Sequence, residues 1–297
     1  MRSLYLVESD RLRRVVAEGR ALRVEEEGRA PWYVPAARVE RAVLWGSVPV
    51  DTEALGLLLD RNVPVAFVAR GGRLRGIAWS ARSGASRAQV WLARRRQDPD
   101  WVAAYRTLLA SWTREARLAL VRRVDPAVFA RWTRSGFRGA DWQRWRRAYL
   151  ASAGPEGAVD AVWRYLKSLV WEAATGWILA EGLDPHQGIL DPRERFGFTK
   201  EMARPLVPWI DGEVGRGGGS GVLARSVHEQ EDGVELTPAG VRHWTARFEG
   251  QLGWMEQDVR QRIGRVVRLA LEWQPEVGPR PPRPAERRGR LCESSTS

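Results

Sequence analysis

The sequence predicts an α+β chain with a small β-rich N-terminal domain over residues 1–80 and a larger all-helical domain over residues 86–273. Over the first 80 residues, apolar side chains come in short β-prone runs separated by charged turns, as in Ser3-Leu4-Tyr5-Leu6-Val7 and Arg41-Ala42-Val43-Leu44-Trp45. From Ser86 to Trp273 they recur instead at three- and four-residue steps, the period of a helix with one buried face. A chain of 297 residues has ample material for a core, in one large domain or two small ones.

Taken in order, residues 3–7 and 21–25 are strands, and Glu26-Glu27-Gly28-Arg29 is a hairpin tip leading into Trp32-Tyr33-Val34. Residues 41–45 form a further strand closed by Gly46. Residues 52–60 read as a short helix with Asp51 or Thr52 as its N-cap. Residues 64–68 are a continuous apolar strand, and Arg70-Gly71-Gly72-Arg73 turns into a last strand over 74–79. Arg70, Arg73 and Arg75 suit either a DNA contact or a solvated hairpin tip. Residues 81–85 are the expected linker.

The helical part opens at 87–96 with the basic cluster Arg94, Arg95 and Arg96. Residues 101–121 carry Trp101, Tyr105, Leu108, Leu109, Trp112 and Leu120 at helical steps, an aromatic stripe expected to pack in the core rather than to stack on bases. The turn Gly136-Phe137-Arg138-Gly139 precedes Trp142, Trp145 and Tyr149, again at helical steps. Residues 160–180 form a long apolar helix that breaks at Gly182, where glycine tolerates a left-handed C-cap, and turns through Asp184-Pro185. Residues 215–221 are expected to be a flexible glycine-rich loop; they lack the Lys-Ser or Lys-Thr and the preceding strand of a phosphate loop. Thr237 as N-cap with Pro238 at the first helical position starts the next helix. The closing helix presents Arg260, Arg262, Arg265 and Arg268, and residues 274–297, rich in Pro and Arg, read as a disordered tail.

Lysine and arginine number 48 against 36 acidic residues, a formal charge of +12 and a pI near 10.9. That balance points to a polyanion partner, because neutralising phosphates releases their counterions. An arginine-biased codon usage remains open as the alternative. The single cysteine, Cys292, excludes an internal disulfide and a cysteine zinc site, and fits a reducing, cytoplasmic setting. His186, His228 and His243 lack metal-ligand spacing. Neither a signal peptide nor a membrane-length apolar run is present, so a soluble protein with no membrane partner is expected.

Gly182-Leu183-Asp184-Pro185, two residues, Gly188, an apolar pair and then Arg204-Pro205 resemble the signature of the CRISPR-associated spacer-acquisition integrase family. The opening Leu4-Tyr5-Leu6-Val7, the run Asn62-Val63-Pro64-Val65-Ala66-Phe67 and the turn Gly233-Val234-Glu235-Leu236-Thr237 are similar to the same family, so the resemblance covers roughly residues 2 to 272. It implies an N-terminal domain that builds the dimer and a helical domain that performs metal-dependent phosphoryl transfer on DNA. The family's metal ligands are Glu, His and Asp; the matching positions here hold Arg138, Asp191 and Phe198, while Glu201 matches an acidic residue one turn after the Asp.

Phenylalanine cannot ligate a cation and a guanidinium repels one, whereas Mg or Mn needs oxygen ligands. The resemblance therefore implies a catalytically silent, DNA-binding architectural subunit with no confident catalytic residue, no metal and no cofactor. Its DNA-binding candidates are Arg94, Arg95, Arg96, Arg138, Arg193, Lys200, Arg260, Arg262, Arg265 and Arg268. Expected partners are double-stranded or branched DNA, a second copy or an active integrase relative, and the small ferredoxin-like adaptation protein. An active Mg or Mn enzyme using the fallback carboxylates Asp141, Asp191 and Glu201 is one alternative. A protein scaffold without a DNA role is the other.

Overall fold

The computed structural model describes residues 3–80, 86–230 and 233–274; the expected linker 81–85, Asp232, and residues 275–297 of the expected tail with Cys292 lie outside them. The N-terminal strands are β1 (Ser3–Val7), β2 (Leu12–Glu18), β3 (Ala21–Glu26), β4 (Trp32–Pro35), β5 (Arg41–Trp45), β6 (Val65–Val68) and β7 (Leu74–Ala78), with α1 (Thr52–Leu59) between β5 and β6. They build a four-stranded sheet in the order β1-β5-β6-β7 and a three-stranded sheet β2-β3-β4. β5 runs parallel to both β1 and β6, and β7 closes the edge antiparallel to β6.

Parallel neighbours require crossovers. The β2-β3-β4 meander supplies one and α1 the other, its N-cap Asp51 accepting the Ala54 N–H at 2.6 Å. All five residues of β5 are buried, as expected of a strand covered on both faces. β2 was not among the strands read from sequence: its paired arginines obscure the alternation, yet Val15 and Val16 are buried against β3.

The second domain comprises α2 (Arg87–Arg95), α3 (Pro99–Val124), α4 (Pro126–Ser135), α5 (Gly139–Ala151), α6 (Glu156–Ala180), α7 (Gly197–Ala203), α8 (Val207–Gly219), α9 (Val222–Arg225), α10 (Pro238–Glu249) and α11 (Leu252–Glu272). One strand pair interrupts the helices: β8 (Val227–Gln230) and β9 (Gly233–Leu236) form an antiparallel hairpin, with β9 packed on α6. α6 is the axis of the domain, packing against α7, α8, α10 and α11. Its buried residues include Val162, Tyr165, Leu166, Leu169, Val170, Ala174 and Ile178. The aromatic stripe of α3 points inward as expected, with Trp101, Tyr105, Leu109, Trp112 and Leu120 all buried.

The expected flexible loop at 215–221 is instead largely helix, since α8 runs through Gly219. Glycine is required there by proximity rather than by flexibility. A Cβ on Gly215 would lie 2.0 Å from Tyr149 Oη, on Gly217 2.5 Å from the Trp244 ring, and on Gly218 2.1 Å from the Ala153 carbonyl. α8 therefore presses directly on Tyr149 of α5, Trp244 of α10 and the Ala153 backbone just beyond α5, which residues with a Cβ would forbid.

The strand-rich and helical regions share a core. Val43, Trp45, Ala66 and Val68 of the sheet pack in one cluster with the buried residues of α6, while Leu4, Leu6, Ala42, Leu44 and Val65 turn to α1 and the meander. Arg41 on β5 crosses this boundary. Its guanidinium stands 2.7 Å from Glu172 on α6 and 3.0 Å from Glu249 on α10, and its Nε donates to Ser3 Oγ at 2.8 Å. Tyr5 hydroxyl bonds both Arg41 and Glu249. Burial outweighs the neighbouring Arg41 charge at Glu172 and pushes its carboxyl up to about 7.

Gly218→Ala is expected to destabilise by about 1–3 kcal/mol through overpacking, whereas Gly219→Ala, which meets nothing within 4 Å, stabilises by about 0.5–1 kcal/mol; urea unfolding of the two variants decides it. The folded chain holds the Glu172 proton more tightly than the unfolded chain, whose carboxyl titrates near 4.5. This contribution to stability is complete below about 4.5 and is lost as pH rises through about 7. Glu172→Gln should consequently gain stability relative to the parent across that window, read as diverging melting curves between pH 4.5 and 8.

Candidate functional site

α6 ends in a left-handed glycine, Gly182 at φ +68°, and the Leu183 N–H returns to the Ile178 carbonyl at 3.1 Å, the closure of a helix with an αL cap. The loop that follows is pinned from α2, which starts on the Ser86 N-cap. Gln89, buried, accepts the Asp184 N–H and donates to Gln187, both at 2.8 Å. Asp184 in turn accepts the His186 N–H at 2.8 Å, fixing the Asp-Pro turn. His186 is a turn residue: Nδ1 accepts the Phe196 N–H at 3.2 Å and its ring lies 4.3 Å from the Phe196 ring.

Gly188 answers a close approach. A Cβ there would sit 2.7 Å from the Asp191 carbonyl and 3.0 Å from Gly197 Cα, so Gly188 and Gly197 together let the loop fold onto the start of α7. Pro185 carbonyl accepts the Phe198 and Thr199 N–H groups, satisfying donors at the N-terminal end of that helix.

Glu201 holds the other end of the loop. It is buried, and it accepts the Leu190 N–H at 2.7 Å, the Ile189 N–H at 3.1 Å and the Tyr105 hydroxyl at 2.7 Å. Burial raises its pKa despite these donors. Its oxygens are engaged in shaping the loop, which corrects its expected place in a fallback ligand set. Phe198 is 2% exposed and belongs to the main core. Arg138 is exposed and flanks α5 without capping it, Asp141 lies in the first turn of α5, and Asp191 is exposed. Among the described residues, no three His, Cys, Asp or Glu side chains stand where they could hold a metal ion, so Asp141, Asp191 and Glu201 do not converge. Those three carboxylates, as placed among the described residues, do not fit a divalent cation.

The basic candidates divide. Arg94 is exposed beside the Trp91 ring, and Arg193, Arg265 and Arg268 are exposed. Arg96 is half-buried in a small cavity with Asp184 and Phe198. Two expectations are corrected. Arg95 donates to the Ala270 and Trp273 carbonyls at 2.9 Å each, capping the end of α11, where cations meet unsatisfied carbonyls. Arg262 is half-buried, ion-paired with Asp258 and set over Trp112, and burial lowers its pKa. Arg260 pairs with Glu181 at 3.0 Å and Glu256 at 2.9 Å, and Lys200 pairs with Glu194.

Two features escaped the sequence reading. Asp211 and Glu213 on α8 are buried anions gripped by arginines: Arg146 holds Asp211 through two 2.7 Å bonds with Trp163 Nε1 adding a third at 2.8 Å, and Arg247 and Arg216 hold Glu213. Separately, α4, α5 and the turn between them expose Arg131, Arg134, Arg138, Arg144 and Arg147, which make no ion pair among the described residues. The signal was a local count, ten arginines against three carboxylates between residues 114 and 147.

A sequence profile described as CRISPR associated protein Cas1 matches residues 4–125. A curated relative, a CRISPR-associated endonuclease Cas1 of Thermus thermophilus, is 46% identical over 61 residues. A CAS1 protein from Thermotoga maritima superposes over 92% of this chain and 98% of its own with a TM-score of 0.75 at 14% identity. The chain is Cas1-like. A casposase bound to integration product has the same fold, with a TM-score of 0.71 over 93% of this chain and 92% of the other at 15% identity. A Cas6-RT-Cas1–Cas2 complex contains it too, with a TM-score of 0.72 at 12% identity over 92% of this chain and 35% of the other. At these identities the structures establish the fold of this Cas1-like chain. The sequence match to the Thermus relative spans 20% of the chain and 19% of that protein.

Glu201→Ala should destabilise by about 3 kcal/mol, because it strands the Ile189 and Leu190 N–H groups and the Tyr105 hydroxyl in the interior. Asp191→Ala, at an exposed position, should change stability by less than about 1 kcal/mol in the same denaturant titration.

Proposed function

We propose that this chain is a DNA-binding, catalytically silent subunit of a CRISPR spacer-acquisition complex. The observation that carries the reading is Phe198, packed in the core at the position where the resembling family carries a metal-binding Asp. Inserting one DNA end into another is a phosphoryl transfer, helped by a divalent cation that polarises the phosphate and stabilises the attacking and leaving oxygens. Such a cation takes oxygen ligands, and here Phe198 offers none, Glu201 is engaged with the 189–190 backbone, and Arg138 adds positive charge.

Binding DNA asks for less than catalysis: cationic side chains free to meet phosphates. The exposed arginines of α4 and α5, together with Arg265 and Arg268 on α11 and Arg193, provide them. One similar structure is bound to an integration product and another belongs to a Cas1–Cas2 complex, which supports DNA and a small adaptation protein as partners of this chain. A second copy would extend the DNA-binding surface, and an active relative joined through the β-rich region would contribute the chemistry this chain lacks.

The decisive assay is strand transfer and cleavage on branched CRISPR-repeat DNA with Mg or Mn, run with the parent protein and Asp191→Ala. Neither protein is expected to turn over, while both bind the DNA with an affinity that falls about 100-fold or more between 50 and 200 mM salt. Robust turnover abolished by Asp191→Ala would overturn the silent-subunit reading, and salt-indifferent or absent binding would overturn the DNA reading.

A further inference from the structure

Between the last turns of α6 and the residues just after β7, Trp79 and Ser80, lies a cavity of about 460 Å³. It exists because α6 presents Ala173, Gly176 and Ala180 there, at three- and four-residue steps along one face, and none of them is large enough to fill the space. A cavity of this size accommodates a small organic molecule. Pro64, Trp79 and Trp177 give it apolar walls, and its lining also includes the side chains of Arg41 and of Glu172, the latter only 1% exposed.

The charge in this lining does not close. Arg41 is one guanidinium facing two carboxylates, Glu172 and Glu249. Glu172 Oε2 takes the Arg41 contact at 2.7 Å, whereas Oε1, equally buried, has no hydrogen-bond donor among the described residues. A carboxylate oxygen taken from water and given no donor is costly, and such oxygens are usually found paired. Burial, with Glu249 adding to it against Arg41, is also what holds the Glu172 carboxyl at about 7. The set is one cation short. Arg260 at the rim does not supply it, being paired with Glu181 and Glu256, and Glu40 brings a further carboxylate to the same rim. In a chain of net charge +12, the cavity is locally acidic.

An ammonium or amidinium group placed here would donate to Oε1 through a charge-assisted bond and balance the second carboxylate. A flat body attached to it would lie against indole and proline surface, and indole also attracts the cation itself. An anion would meet carboxylates, and a neutral molecule would leave the imbalance as it was.

We propose that the cavity between β7 and α6 binds a small organic monocation, an amine or amidine carried on a flat apolar body, with its cationic group donating to Glu172 Oε1. The site does not require DNA. It lies where the strand-rich and helical regions meet, so an occupant fastens the same join as Arg41.

The probe is benzamidine, titrated calorimetrically into the full chain at pH 8, above the value at which Glu172 ionises. Benzamide, of the same shape without the charge, and benzoate, of opposite charge, are the controls. The parent protein should bind benzamidine with a Kd below about 1 mM and benzamide at least about tenfold more weakly, and should not bind benzoate. Glu172→Gln keeps the shape and removes the charge, while Ala180→Phe fills the cavity and keeps Glu172. Each should weaken benzamidine binding about tenfold or more. The two variants alter different properties, so misfolding of one leaves the other to decide. Unchanged benzamidine affinity in either folded variant overturns the site, as does benzamide binding equal to benzamidine or a parent protein that binds none of the three probes.

Discussion

Arg41 is the point on which the join between the strand-rich and helical regions depends. A guanidinium on a fully covered strand has no water to turn to, so its position is tenable only because Glu172 and Glu249 approach from α6 and α10 and Tyr5 and Ser3 complete its contacts from β1. The phenyl ring of Phe248, 5.2 Å away, closes the remaining side. Replacing Arg41 by an uncharged residue would cost about 3–5 kcal/mol, because Glu172 and Glu249 would be left without their shared cation. The network also sets geometry: β5 cannot shift along α6 without pulling Arg41 from its carboxylates. The β-rich domain is thereby fastened to the helix that organises the rest, and the loop at 182–191 leaves that same helix.

That loop is held by Gln89 and by Glu201, a carboxylate the sequence offered as a fallback ligand, and both act structurally in the fold. Gln89 and Glu201 reach it from opposite sides and consume its backbone donors, and the paired glycines 188 and 197 let it press against α7. A buried carboxylate accepting main-chain N–H groups is suited to ordering a loop, while a metal ligand must leave oxygen lone pairs directed at a common centre. Phe198 fills the adjoining space with an aromatic ring.

Much of this was legible in the sequence where the cause is local. Asp51 and Thr237 cap their helices, Gly182 ends α6 in a left-handed turn, and the aromatic stripe of α3 is core, each fixed by residues within a turn or two of itself. What stayed hidden depends on distant neighbours. The spacing of Arg95 and Arg262 shows a basic helix face but not that one meets the end of α11 and the other a tryptophan on α3. The candidate site divides in the same way: its frame was visible in Gly182, Pro185 and Gly188, whereas the duties of Gln89 and Glu201 emerge only when α2, α7 and the loop come together.

The glycine-rich end of α8 ties surface charge to the integrity of the interior. Four glycines among residues 215–219 lower the intrinsic helix stability by about 4 kcal/mol relative to alanine, so this segment keeps its shape only while α5 and α10 enclose it. On the same helix ride Asp211 and Glu213, the counterions of Arg146, Arg216 and Arg247. Were the enclosure to loosen, α8 would fray and three guanidinium groups would lose their internal anions together. A loosened molecule would then carry the same net charge as a tight one but no longer hold those charges in fixed pairs. The glycine packing thus acts as a clasp on charge, keeping two buried carboxylates and their arginines in register for as long as α8 stays enclosed.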